Sequence, residues 1–168
     1  MKHPLRPDRV FRRFSDIRPE TLRGMGITAV LCDLDNTLVP PKRRRPTPSA
    51  IAWLESLHGA GICVMLVSNN SMKRVREFCR CLPFDGIPQA RKPLPFGLTR
   101  ARRALGASAA ETAFVGDQLF TDILAARLAG LTALYVRPMK PESGRFFALK
   151  RRLEQPFLRG FEETLKNP

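Results

Sequence analysis

The chain has 168 residues, 43% of them apolar and 26% charged, with 29 Lys+Arg against 15 Asp+Glu and a formal net charge of +14. That size and balance suit one globular domain with a full core and exclude a disordered chain. The excess of basic residues favours a polyanionic neighbour: nucleic acid, an anionic membrane surface or a phosphorylated substrate.

The opening stretch "MKHPLRPDRVFRR" has no apolar core of the signal-peptide kind, and no later apolar run is long enough to span a bilayer. The chain is therefore expected to be cytoplasmic, with membrane contact at most peripheral. The run "TAVLCDL" (28–34) predicts a strand buried on both faces. "KRRR", Lys42–Arg45, follows between prolines and predicts a basic loop. Thr47 as N-cap, Pro48 at the first position and Gly59 as the stop predict a helix. "ICVMLVS" (62–68) is a second buried strand, and Ser71 caps a helix over "MKRVREFCRCL". A weaker strand falls in "GIPQA" (86–90), and a helix runs over 95–106 to Gly106. "SAAE" (108–111) resembles a capping box, "TAFVG" (112–116) is a strand, and Thr121 caps "DILAARLAG". "TALYV" (132–136) is the last strand. The tail, 141–168, predicts a basic amphipathic segment packed on or extending from the domain. Phe146, Leu149, Leu153 and Phe157 fall near one face, Arg145, Lys150, Arg151 and Arg152 lie elsewhere, and Pro156 kinks or ends the helix.

Strand–helix alternation of this kind predicts a parallel, doubly wound α/β sheet, with residues 1–168 as a single domain. Cys32 and Cys63 sit in apolar runs and are expected to be buried, while Cys79 and Cys81 have no second pair for a zinc site. His3 and His58 are isolated.

In such a sheet ligands bind beyond the carboxyl ends of the strands. There the sequence places Asp33-Leu34-Asp35-Asn36-Thr37, then Ser68-Asn69-Asn70, then Arg91-Lys92, then Gly116-Asp117 with Asp122. In an extended strand Asp33 and Asp35 point to the same side, and two close carboxylates repel. A hard cation such as magnesium, held by Asp33 and Asp117 from two strand ends, explains the cluster. One carboxylate can then act as nucleophile and a second as acid and base, with Ser68 and a lysine on the phosphoryl oxygens. Each piece has a plainer reading as well. Asp122 could reinforce a helix N-terminus, Ser68-Asn69-Asn70 could be a simple turn, and Arg91 could stand in for Lys92.

"DLDNT", "SNN", the lysine of "RKP" and "GDQLFTD" resemble, in order, the four motifs of the haloacid dehalogenase (HAD) superfamily of phosphatases. "PDRVFRRFSDI", "LDNTLVP", "VSNN", "ARKPLP" and "VGDQLFTDILAARLAGL" resemble the YqeG family, subclass IIIA, over most of the chain. The resemblance implies a Rossmann-like HAD core and a magnesium-dependent phosphatase. It implies that Asp33 is nucleophile and metal ligand, and that Asp35 is general acid/base with its backbone carbonyl on the metal. Thr37 supports the loop, Ser68 and Asn69 hold the phosphoryl group, and Lys92 pairs with phosphate and nucleophile. Asp117 binds metal, and Asp122 binds metal or orients Lys92.

Roughly thirty residues separate Thr37 from Ser68 and roughly two dozen separate Ser68 from Lys92, each room for one helix and one strand. No cap domain fits, so the site is expected to be open and to take a phosphate on something large or surface-presented. The YqeG family is similar to phosphatidylglycerophosphate phosphatases, which makes that lipid at an anionic membrane the leading substrate. A nucleic-acid end phosphatase would suit the charge equally; a third reading, a non-catalytic RNA- or ribosome-associated module, is opposed by the intact set Asp33, Asp35, Ser68, Lys92 and Asp117, which a binding module would not need.

Overall fold

The computed structural model describes residues 3–140 and 145–161, without the side chains of 145–148. Six parallel strands form one sheet: β1 (Arg9–Phe11), β2 (Ala29–Cys32), β3 (Cys63–Val67), β4 (Gly86–Ile87), β5 (Thr112–Gly116) and β6 (Thr132–Val136), in the order β1-β6-β5-β2-β3-β4. The helices are α1 (Pro19–Gly24), α2 (Pro48–Gly59), α3 (Met72–Cys79), α4 (Phe96–Ala104), α5 (Leu124–Leu128) and α6 (Arg145–Leu158). A π-helical turn, Leu119–Ile123, leads into α5.

The strands divide their side chains between two cores, as a period of two requires. Val30, Cys32, Val64, Leu66, Ala113, Val115, Leu134 and Val136 face one layer, packed with Leu22, Trp53, Leu54, Leu57 and Phe78. Leu31, Met65, Val67, Phe114, Ala133 and Tyr135 face the other, with Leu98, Ala101, Ile123, Ala125 and Leu158. Burial on both faces is why the strands read as unbroken apolar runs. The sheet is doubly wound and Rossmann-like, as expected. A single helix, α2, lies between β2 and β3, and a single helix, α3, between β3 and β4, so no cap domain interrupts the chain there.

The caps of α2 and α3 are those predicted. Thr47 Oγ1 accepts from the Ala50 N–H at 3.1 Å, and Ser71 Oγ from the Arg74 N–H at 3.3 Å. Five local expectations are corrected. Thr121 lies inside the π-helical turn, and its hydroxyl donates to the Gln118 side chain and caps nothing. The Ser108 hydroxyl accepts from the Glu111 N–H as in a capping box but donates to the Glu111 carboxylate, and the turn they close leads into β5 with no helix following. Cys63 is exposed, because it is the entry residue of β3 at the sheet margin. Pro156 does not end α6, which continues to Leu158. On α6, Leu149 and Leu153 are exposed, and among the described side chains of that helix the buried ones are Glu154 and Leu158. Of the predicted tail, 141–144, 162–168 and the side chains of Arg145 and Phe146 lie outside the described residues. Among the described residues no helix is long and apolar enough to cross a membrane.

Candidate active site

Strand register gathers the site. Cys32 pairs with Leu66 on β3 and with Val115 on β5, so the residues that follow all emerge at one edge. The Asp33 N–H donates to the Val115 carbonyl at 2.9 Å, extending the ladder by one step. The chain then turns at Asn36, whose φ of 67° suits an asparagine. The Asn36 side chain bonds both main-chain groups of Lys140, at 2.9 and 3.0 Å, tying this loop to the segment after β6. Thr37 Oγ1 lies 3.4 Å from Asp33 Oδ2 and 3.3 Å from Asp117 Oδ1; its single proton serves one carboxylate at a time.

Lys92 is buried, and its Nζ lies 2.6 Å from Asp33 Oδ1, 2.8 Å from Asp122 Oδ1 and 3.1 Å from the Val67 carbonyl. Burial acts to lower its pKa, and the Asp122 and Asp33 charges overcome that and raise it, so the ammonium stays charged. Asn69 fixes the lysine from behind: its amide accepts from the Lys92 N–H at 2.8 Å and donates to the Lys92 carbonyl at 3.0 Å. That double contact makes Asn69 a holder of the Lys92 main chain. Arg91, the sequence alternative to Lys92, is exposed.

Asp33, Asp117 and Asp122 are all buried, and one carboxylate oxygen from each lies within 4.8 Å of the others. Burial pushes the Asp33 carboxyl up, Lys92 pulls it back and Asp122 pushes it up again, leaving it at about 6. Asp117 is raised well above the usual carboxylate range by burial and then by the charges of Asp122 and Asp33, against the pull of Arg151. Three buried carboxylates gathered this closely, with only oxygen donors, fit a hard divalent cation. The Asp35 side chain is outside that cluster.

Asp122 orients Lys92 and also accepts from the Gln118 N–H at 3.1 Å, closing the turn it belongs to. Its room comes from Gly116, where an added Cβ would lie 2.5–2.6 Å from three Asp122 side-chain atoms. Gly116→Ala is therefore expected to displace Asp122 and loosen Lys92, lowering kcat by about tenfold or more, the scale of a misplaced catalytic group. A steady-state assay beside a thermal melt checks it, and unchanged kcat would contradict the packing argument.

Asp35 is held on the opposite side. Its Oδ1 lies 2.8 Å from Arg74 Nη2, and its Oδ2 accepts from Asn70 Nδ2 at 2.7 Å. Asn70 also donates twice to Ser68 Oγ, from its main chain at 3.2 Å and its amide at 2.9 Å. Arg74 was not singled out in the sequence; the signal available was its position one turn after the Ser71 cap. Arg151, expected on a basic tail, lies on Asp117 instead. Its Nη2 lies 3.0 Å from Asp117 Oδ2, and its Nη1 donates to the Asp117 carbonyl at 2.9 Å and to Glu154 at 2.8 Å. Glu154 accepts from the Leu119 N–H at 3.1 Å, and Lys150 bonds Gln118, so α6 grips 117, 118 and 119 in turn.

A parallel sheet with this carboxylate and lysine cluster at its carboxyl edge is the site of a HAD-type hydrolase. The family model described as hydrolase, haloacid dehalogenase-like hydrolase, matches residues 19–130, and the chain belongs to that family. It is 34% identical over 152 residues, 90% of this chain and 88% of the relative, to the Bacillus subtilis (strain 168) protein Probable phosphatase YqeG. Two solved structures share the fold. The cobalt-bound deoxy-D-mannose-octulosonate 8-phosphate phosphatase (YrbI) of Haemophilus influenzae gives a TM-score of 0.55 at 13% identity, covering 83% of this chain and 92% of that one. A HAD superfamily (subfamily III A) hydrolase of Legionella pneumophila gives 0.50 at 16%, covering 90% and 91%.

Proposed function

We propose that the chain is a magnesium-dependent phosphomonoester phosphatase working through a phosphoaspartate on Asp33. The observation that carries this is Lys92, buried between Asp33 and Asp122 with Asp117 beside them, at the edge where an α/β sheet binds its ligands. Asp33 attacks phosphorus, the ester bond breaks, and Asp35 gives its proton to the leaving oxygen. Asp35 then takes a proton from the water that attacks the phosphoaspartate, releasing phosphate and restoring Asp33. Ser68 Oγ accepts from Asn70, which leaves its own proton for a phosphoryl oxygen, and Lys92 balances the charge that develops there. Asp33, Asp117, Asp122 and the Asp35 carbonyl would hold the magnesium ion, which when bound adds positive charge beside the phosphoryl oxygens.

For the substrate we favour phosphatidylglycerophosphate at the inner face of an anionic membrane, reached peripherally. Leu94 and Phe96, two and four residues after Lys92, are exposed at 48% and 70% and suit an apolar surface. Lys42–Arg45 are exposed, and each basic residue near an anionic bilayer contributes about 1 kcal/mol. Trp53 and Tyr135 are buried, which removes them as stacking platforms for a single strand. The test measures phosphate release with magnesium from this lipid in anionic vesicles and from a 3′-phosphorylated oligonucleotide. With Lys42–Arg45 changed to serine, vesicle turnover is expected to fall and aryl phosphate turnover to stay. Faster turnover of the oligonucleotide would favour the nucleic-acid end phosphatase. An unchanged vesicle rate in the serine variant would remove the membrane from the proposal.

A further inference from the structure

Arg74 stands beside the proposed acid, and the chemistry above gives it no part. It lies in the first turn of α3, and its guanidinium meets Asp35 Oδ1 at 2.8 Å and the Arg44 carbonyl at 3.3 Å. The Phe78 ring supports it from below at 5.8 Å, and its Nε is buried without an acceptor among the described residues. Through Arg44 the basic loop 42–45 is tied to the Asp35 side of the site, away from the three-carboxylate cluster.

We propose that Arg74, with the 42–45 loop behind it, forms a leaving-group subsite that selects phosphomonoesters whose alcohol carries a second anion. This rests on the phosphatase reading and deepens it. Asp35 has to reach the leaving oxygen, so the cation on its far side faces the remainder of the leaving alcohol. A guanidinium has five N–H donors in a planar fork, and Asp35 and Arg44 take only part of them. The fork matches a carboxylate or a phosphodiester, and a charge-assisted pair is stronger than a neutral one. To pass its proton on, Asp35 has to loosen one of the two contacts that now hold it. An anion on the alcohol gives Arg74 a replacement partner at that moment. A neutral alcohol gives none, and Arg74 stays on Asp35 in competition with the proton transfer.

The experiment compares kcat/KM, with magnesium, for glycerol 3-phosphate and 3-phosphoglycerate, which share a three-carbon skeleton and differ in a hydroxymethyl against a carboxylate. A third probe, glycerophosphoglycerol phosphate, carries a phosphodiester without acyl chains. The parent is expected to prefer the anionic probes by on the order of tenfold, the discrimination of one charge-assisted hydrogen bond. Preference for either anionic probe supports the subsite and tells a carboxylate from a phosphodiester. Arg74→Gln is expected to slow all three and bring the ratios to about one, while Arg74→Lys keeps part of the preference. Because a general loss of Asp35 positioning lowers every substrate together, the ratio isolates the subsite. A parent with no preference, or a preference that survives Arg74→Gln, overturns the subsite alone. A parent that hydrolyses none of the three, nor an aryl phosphate, overturns the phosphatase reading and this proposal with it.

Discussion

Asp33→Asn is expected to abolish phosphate release from an aryl phosphate and, in the metal-free protein, to gain stability over the parent as pH rises. The amide cannot attack phosphorus and cannot serve as an anionic ligand. The second effect follows from burial. Asp33 titrates at about 6 in the folded chain against an ordinary value of 3.8, because burial and Asp122 outweigh Lys92. Between those values the folded state binds the extra proton. The parent's stability from this group is therefore full below the unfolded value and is lost as pH climbs through the folded one. Asparagine has no such dependence, so the variant should overtake by on the order of 2 kcal/mol between about pH 4 and pH 7. Urea denaturation of both proteins in chelator, at stepped pH, gives the difference directly. Near-parental turnover would rule out the covalent route, and a pH-independent stability difference would contradict the burial argument.

Asp35→Asn should slow turnover by about 10²–10⁴-fold, the usual range for a lost general acid and base. Divalent cation affinity should change little, because the Asp35 side chain stands apart from the Asp33, Asp117 and Asp122 cluster. The asparagine keeps one acceptor oxygen, for Arg74, and turns an NH2 toward the Asn70 amide, which has to present its own oxygen to meet it. Calorimetric titration of magnesium, paired with steady-state rates, separates the two effects. Loss of magnesium binding with chemistry spared would exchange the roles given to Asp33 and Asp35.

Much of this was legible in the sequence because buried parallel strands announce themselves and their ends are where ligands go. "AVLC", "CVMLV", "TAFVG" and "TALYV" all became strands, and the polar residues after the first three converge with Lys92, which follows the short β4. β1 went unread because only Val10 of its three residues is buried, leaving no alternation to detect. The π-helical turn at Leu119 was hidden because Thr121 looks like a cap in any one-dimensional pattern. The contacts of Arg74 and Arg151 with Asp35 and Asp117 span 39 and 34 residues, and no local spacing encodes such pairs. For Arg151 the amphipathic pattern was misleading. α6 buries Glu154 to cap the Leu119 N–H, an electrostatic choice, and leaves Leu149 and Leu153 outside. Arg151 and Glu154 also lie beyond the 19–130 stretch that the family shares.

The pairing of β1 with β6 bears on how the chain is made. Val10 lies opposite Tyr135, and Asp8 accepts from the Ala133 N–H, a contact between residues 125 apart. During synthesis the first strand leaves the ribosome long before its partner exists, at about 5–20 residues per second. The segment after it can settle early, since Phe14 packs on Trp53 and the Trp53 indole donates to the Ile17 carbonyl. The strand itself has to wait. Its partner in the sheet is β6, so it pairs only when the last strand arrives, and α6 with its arginine reaches the catalytic edge only after that. A nascent chain stalled before β6 would carry every carboxylate of the active site with neither its first strand paired nor Asp117 clasped.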